Sequence, residues 1–207
     1  MCENNFKFLA SIITFNPDID RLRKCVERAG QECPLLIIVD NASKNIDKIA
    51  CLANKYKNIQ LIKNTTNYGI AKALNQVFQY ALQYGYDWVL TLDQDTIIPD
   101  NLIERYKSAV LENYKNIAII CPQVHDDSSG KTWPLLSEGE KERYVERCIT
   151  SASLTSVEVW SEVCGFDEKL FIDEVDHDFC YRVRENGKKI LLVNNVTINH
   201  TIGESKV

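Results

Sequence analysis

The sequence predicts an α/β protein: a mostly parallel sheet with helices on both faces. Two observations carry that expectation. Short apolar runs alternate with longer segments of helical period about five times over residues 1–122. At 207 residues, with 45% hydrophobic and 26% charged residues, the chain is long enough and ordinary enough for one sizeable globular core.

The elements follow in order. "KFLASIIT" (7–14) is short and β-rich, and "FNP" breaks it, so it reads as the first strand. "DIDRLRKCVERAG" places Ile19, Leu22, Val26 and Ala29 at helical spacing, with Gly30 as its expected stop. "LLIIVDNAS" is a buried strand ending at Asp40 and Asn41. "IDKIACLANKYK" is a second helix and "IQLIKN" a third strand. "GIAKALNQVFQYALQYG" sets Ile70, Leu74, Val77, Phe78, Ala81 and Leu82 on one face, with Gly85 as cap. "DWVLTL", "NLIERYKSAVLEN" and "IAIICPQV" add a strand, a helix and a fifth strand. Residues 123–150 are polar, carry Gly, Pro and a charge run, and read as a loop excursion. Order then returns: a strand near 149–155, a short helix near 157–163, a helix near 175–186 followed by Gly187, and two short strands near 189–193 and 196–200. No linker divides the chain, so residues 1–207 are expected to form a single domain.

Composition narrows the function. A net charge of −5, from 24 basic and 29 acidic residues, argues against a nucleic-acid partner, which calls for a basic face. A phosphate-bearing ligand stays compatible if a metal supplies positive charge. The eight cysteines are scattered without a CxxC pair, which sets zinc aside and suits reduced thiols in a cytoplasmic protein. The polar opening "MCENN" lacks the basic start of a signal peptide. The longest apolar runs are far short of a membrane span, so the expected protein is soluble or at most peripheral.

In open α/β sheets, ligands bind beyond the carboxyl ends of the strands. Polar residues crowd three such ends here: Thr14 to Asn16, Asp40 with Asn41, and Asp93-Gln94-Asp95. Asp93 and Asp95 alternate on extended backbone, so both can face one side. Two hard oxygen donors suit Mg²⁺ or Mn²⁺, whose remaining positions go to water and substrate phosphates. A turn before Pro99 explains the same residues without a metal. Asn67 and Gly69 lead into a strong helix, where backbone N–H groups favour anions; a plain turn is the alternative. Asp173, Glu174, Asp176 and Asp178 crowd another helix start. They fit either the helix dipole with an Asp178–Arg182 pair, or a general base. His200 closes the last strand; His125 and His177 have only a structural reading.

Taken in order, "TFNP" (14–17), "VDNAS" (39–43), "NTTNYGIAKALN" (64–75), "LDQD" (92–95), "GFDEKLFID" (165–173), "VDHDFCYRVRENG" (175–187) and "INHTIGE" (198–204) resemble glycosyltransferase family 2, of GT-A fold. "TSASL" (150–154), the DQD form and "HTIGE" are most similar to its bacterial rhamnosyltransferase branch. The resemblance implies an inverting, metal-dependent transferase that moves a sugar, rhamnose from dTDP-rhamnose, to a saccharide or lipid-linked acceptor in surface polysaccharide synthesis. It also implies a cytoplasmic site of action at the inner face of the cell membrane. Residues 1–122 would form the nucleotide-binding half and 123–207 the acceptor and catalytic half. Thr14 and Asn16 would line the nucleotide pocket, and Asp40 would contact the base. Asn67, Gly69 and Lys72 would border the diphosphate. Asp93 would face the ribose or the metal's waters. Asp95 would bind Mn²⁺ or Mg²⁺, with His200 as a further ligand, and Asp176 would be the catalytic base. The chain departs from the pattern in three places: Val175-Asp176 stands for the family's Glu-Asp, Ala152 for a frequent Gly, and the chain stops seven residues after His200, where relatives continue. Two other classes compete. One is a non-catalytic nucleotide-sugar-binding domain. The other is a sugar nucleotidylyltransferase, disfavoured because no Gly-rich loop follows the first strand.

Overall fold

A computed structural model of the chain describes residues 6–113, 116–126, 129–134, 137, 140 and 142–200. Nine strands and six helices follow one another in it: β1 (Phe8–Thr14), α1 (Ile19–Glu32), β2 (Leu36–Asp40), α2 (Ile46–Ala53), β3 (Ile59–Lys63), α3 (Ile70–Gln83), β4 (Trp88–Asp93), α4 (Leu102–Asn113), β5 (Ile117–Asp126), β6 (Lys131–Trp133), β7 (Glu142–Val145), β8 (Ser153–Ser156), α5 (Val157–Glu162), α6 (Val175–Glu185) and β9 (Lys189–His200). All nine strands join one sheet, ordered β3-β2-β1-β4-β8-β5-β9-β7, with β6 paired to β5. Strands β1 to β5 and β9 run one way; β6, β7 and β8 run the other. The expected mostly parallel, helix-flanked sheet is the one observed.

Alternation along the buried strands sorts side chains to two faces. Phe8, Ala10 and Ile12 of β1 join a core with Leu22, Val26 and Ala29 of α1, Ile49 of α2 and Leu102 and Tyr106 of α4. Leu9 and Ile13 point the other way, to Leu74, Val77 and Phe78 of α3, Trp160 of α5 and Phe179 of α6. Phe78 is the centre of that second layer, with ring centroids 5.4 Å from Trp160 and 5.5 Å from Phe166.

Local signals explain most boundaries. Asp18 caps α1 by accepting hydrogen bonds from the N–H groups of Asp20 and Arg21. Gly85, at φ +69, ends α3, and the Tyr86 N–H reaches back to Ala81 O. Gly30, however, does not stop α1; the helix runs on to Glu32 and turns extended at Cys33 (φ −111, ψ 135). The stop is Pro34, which disfavours helical backbone in the residue before it.

Three other expectations change. The excursion at 123–150 contains two short strands: β6 folds back on β5, and β7 pairs with β9. Both are short and polar, so neither carries an apolar period strong enough to read. The two C-terminal strands are one, β9, whose pairing jumps from Pro122↔Val193 to Gln123↔Thr197. The break falls at Pro122, which has no N–H to give to a ladder. Finally, β8 runs antiparallel between β4 and β5, so these two parallel strands are not neighbours. No helix among the described residues is long and apolar enough to cross a membrane.

Gly30 supplies a direct stability test. It sits inside α1, and a Cβ there would meet nothing within 4 Å. Gly30→Ala is therefore expected to raise stability by about 0.5–1 kcal/mol, read from the urea unfolding midpoint. A loss would mean that the helix does not pass through Gly30.

Candidate active site

The sheet register brings three of the polar strand ends to one level. Thr14 lies opposite Asp40, and Ile13 opposite Asp93. Strand order reverses at β1, with β2 on one side and β4 on the other, so this is the switch point where an α/β sheet opens a crevice. Thr14 and Asp40 are completely buried. The Thr14 hydroxyl donates to Asp40 Oδ1 at 3.0 Å, and the Ser43 N–H donates to Oδ2 at 2.9 Å. Both oxygens of Asp40 are thus engaged inside the protein, and none of its surface is open for the base contact that the resemblance implied. Asn16 is exposed and left-handed (φ 49), a conformation Asn tolerates. Its N–H donates to Ser43 Oγ, and its Oδ1 accepts from the Lys44 N–H, each at 2.8 Å.

The turn after β4 completes the crevice. Gln94 Oε1 accepts from the Phe15 N–H at 3.0 Å and ties the tips of β1 and β4 together. Asp93 is half-buried at the strand end. Asp95 projects further, 41% exposed, with Arg21 Nη1 3.9 Å from its carboxylate. Thr96 is buried and its hydroxyl lies 2.5 Å from that of Ser151, while Thr91 Oγ1 lies 2.5 Å from Thr150 O. Residues 150–153 are thereby fastened beside the Asp93–Asp95 turn. Thr150 and Ser153 in turn line a small cavity with Asp176, Phe179 and Cys180. Asp176 is half-buried in the first turn of α6, and its Oδ1 accepts from the His177 N–H at 2.8 Å. Beneath it, Cys180 Sγ lies 3.8 Å from Cys148 Sγ. Contact with Cys148, then burial, pushes the Cys180 thiol far up, so these sulfurs pack as neutral groups and not as nucleophiles.

At the start of α3 the expected residues are present, but another segment covers the helix end. Gly69, at φ +85, is buried; its N–H donates to Asn67 Oδ1 at 2.9 Å. The Ile70 N–H donates to Phe171 O at 2.7 Å, and a Cβ on Gly69 would come within 2.4 Å of that oxygen. Lys72 lies 3.5 Å from the Glu168 carboxylate and 4.9 Å from the Tyr68 ring centroid. The helix terminus thus meets residues 168–171.

Comparison with known proteins identifies the family and the fold. The sequence model of Glycosyl transferase family 2 matches residues 10–181. The chain belongs to this family. It is 28% identical over 218 residues to the dTDP-rhamnosyl transferase RfbF of Shigella flexneri, an alignment spanning 98% of the chain and 72% of that protein. Among solved structures it is similar to GalNAc-T7, crystallised with UDP, GalNAc and Mn²⁺, with a TM-score of 0.74 at 15% identity. That match covers 97% of the chain and 44% of GalNAc-T7. It is also similar to residues 1–349 of TarS from S. aureus, with a TM-score of 0.69 at 18% identity, over 94% of the chain and 60% of that structure. The chain therefore spans less than two thirds of these solved structures, which show the GT-A fold.

This family 2 glycosyltransferase offers oxygen donors for a divalent cation at the β4 tip. Asp93 ends β4, whereas Asp95 lies in the turn that follows and not on the extended backbone expected for it; Asp95 is accessible, with the long Arg21 ion pair as its recorded contact among the described residues. Among the described residues no three His, Cys, Asp or Glu side chains converge on one point. Such a site fits Mg²⁺ or Mn²⁺, which leave positions for water and phosphate oxygens. The backbone of His200 ends β9, opposite Asp126 and three places from β4 in the sheet; its side chain lies outside the described set, as do residues 201–204 of "INHTIGE".

Sequence reasoning missed Gln94, Ser43, and the Thr96–Ser151 pair that joins the two halves of the site. Gln94 was legible as the middle of the DQD turn. The contact of Thr96 with Ser151 depends on the insertion of β8, which no local pattern announces.

The buried Thr14–Asp40–Ser43 cluster gives a prediction. Asp40→Asn keeps one acceptor but turns an NH₂ group toward the Thr14 hydroxyl or the Ser43 N–H. The expected loss is about 1–3 kcal/mol of stability by urea unfolding. An unchanged midpoint would show that these two bonds do not hold the β2–α2 turn.

Proposed function

We propose that this glycosyltransferase moves rhamnose from dTDP-rhamnose to a saccharide or lipid-linked acceptor, with inversion at the anomeric carbon and with Mn²⁺ or Mg²⁺. The observation that carries the reading is the placing of two features beside one turn: the exposed Asp95 at the β4 tip, and the Thr150–Ser153 segment that lines a cavity with Asp176. The likeness to the rhamnosyl transferase of Shigella flexneri supports the choice of donor.

In this reading Asn16 and Thr14 line the nucleotide pocket, and Asp40, expected to contact the base, lies buried behind Thr14 and supports the pocket from within. Asn67, Gly69 and Lys72 border the diphosphate, and Asp93 faces the ribose or the water around the cation. Asp95, with His200, would hold the cation. When bound, it neutralises the leaving diphosphate. Asp176 takes the proton of the acceptor hydroxyl as that oxygen attacks the face of the sugar opposite the diphosphate. One displacement inverts the centre without a covalent enzyme intermediate. We place the reaction in the cytoplasm, at the membrane face when the acceptor is lipid-linked.

Thermal unfolding with dTDP, UDP and GDP, each with and without Mn²⁺, tests the donor site. A rise that needs both dTDP and the metal is expected, worth about 2.7 kcal/mol at a nucleotide concentration of 100 Kd. A rise with UDP alone would change the donor, and no rise with any nucleotide would remove the donor site.

Two substitutions separate the roles. Asp95→Ala is expected to abolish both dTDP release from dTDP-rhamnose and the metal-dependent rise. Asp176→Ala should lower release by roughly 10²–10⁴-fold while sparing the rise with dTDP. Near-normal turnover in Asp176→Ala would overturn its assignment as base.

A further inference from the structure

The segment between α5 and α6, residues 163–174, has no regular structure and yet delivers Asp176. Its position has to come from what it touches. One buried side chain, Asn75 of α3, makes four hydrogen bonds here, three to this segment and one to Trp160 at the end of α5. Asn75 Oδ1 accepts from Trp160 Nε1 at 3.0 Å and from the Phe166 N–H at 2.9 Å. Its Nδ2 donates to Phe166 O at 2.9 Å and to Glu168 Oε1 at 3.1 Å. An amide has two acceptor sites and two donor hydrogens, and all four are used. The fit is close: a Cβ on Gly165 would come within 2.9 Å of Asn75 Oδ1. Asn75 is 7% exposed, so breaking these bonds leaves polar groups with little access to water.

The same segment is fixed at two further points. Phe171 O accepts from the Ile70 N–H at the start of α3. Arg182, from α6 itself, donates to the carbonyls of Val163 and Gly165 at 2.6 and 2.7 Å. Between the Phe171 contact and Asp176 the chain passes only four residues, one of them Glu174 in a left-handed conformation (φ 64). Phe166 also packs on Phe179 of α6, with ring centroids 4.3 Å apart, so a shift at Phe166 reaches the helix that carries Asp176.

We propose that Asn75 is a positioning residue for sugar transfer. Its amide clasps residues 165–168 onto α3 and thereby sets the place of Asp176 relative to the donor end of the same helix. The proposal rests on the reading of Asp176 as base. In this proposal Asn75 acts through the segment it holds. Reacting groups tolerate little displacement, and misplacement by about 1 Å can cost roughly a hundred-fold in rate.

The test is Asn75→Asp. This keeps the side chain's shape and its acceptors, but sets a carboxylate oxygen against Phe166 O and the Glu168 carboxylate. We expect kcat for dTDP release from dTDP-rhamnose, with Mn²⁺ and an alkyl rhamnoside acceptor, to fall roughly ten- to hundred-fold. Donor KM should stay within about two-fold, because no donor contact is lost. Amide hydrogen exchange across residues 165–175 should quicken. Adding Glu168→Gln supplies a donor to the new carboxylate and should recover part of kcat. A purely structural role would lower kcat only in proportion to the fraction folded, so kcat is expressed per folded molecule, with the folded fraction read from urea unfolding. Trp160→Phe, which removes one bond to Oδ1, is the milder variant should Asn75→Asp fail to fold; its expected loss in kcat is about five-fold. An unchanged kcat in either folded variant overturns the proposal, as does a loss confined to donor KM. Asp176→Ala is assayed in parallel. If it is inactive while Asn75→Asp is fully active, only the positioning role fails; if it is active, the base assignment fails and the proposal with it.

Discussion

A parallel sheet must deliver every strand tip to one edge, and the site of this protein depends on that constraint. β1 lies between β2 and β4 with both faces buried, so its register with each neighbour is fixed by two layers of apolar side chains at once. That register sets the ends of β1, β2 and β4 at one edge of the sheet, with Thr14 opposite Asp40 and Ile13 opposite Asp93. A slip of one residue would send Leu9 and Ile13 to the α1 face and dismantle the crevice together with the core. Stability and site geometry are here the same property.

The second half of the site comes from a strand that runs the wrong way. Because β8 is antiparallel to β4, it begins at the edge where the parallel strands end. Its leading turn, residues 150–152, therefore arrives beside the Asp93–Asp95 turn with no loop long enough to wander. Ala152 is left-handed there (φ 56) and fully buried, and its carbonyl accepts from the hydroxyl of Tyr106 at 2.8 Å. The aromatic ring of a helix on one face thus braces a turn that serves the carboxylate on the other.

How much of this could be read from the residues depended on how local each cause was. The first five strands and the helices between them stand on apolar periods and turn residues, and all of them are present. Gly30 misled because its freedom is only permissive, whereas Pro34 imposes a backbone shape on Cys33. β6 and β7 were hidden because short polar strands owe their pairing to a partner already in place. At the site, the polar strand ends were visible as soon as the strands were. The burial of Asp40, the closing of the α3 terminus by Phe171 and the grip of Asn75 were not, since each rests on pairs separated by 26 to 101 residues. Sequence names the groups at a strand tip; which of them faces solvent is decided by chain that comes much later.

The insertion of β8 also has a consequence for the order of events as the chain leaves the ribosome. β1 to β4 and their helices can assemble as soon as about the first half of the chain has emerged, but β4 then presents a bare edge of backbone N–H and C=O groups. β5 emerges next and cannot cover that edge in the native way, because its place is one strand further out. Until residues 153–156 follow, the half-made sheet carries an open template beside an apolar strand, the condition under which nascent chains pair with the wrong partner. The strand that brings the two halves of the site together is also the one whose late arrival leaves the unfinished protein exposed.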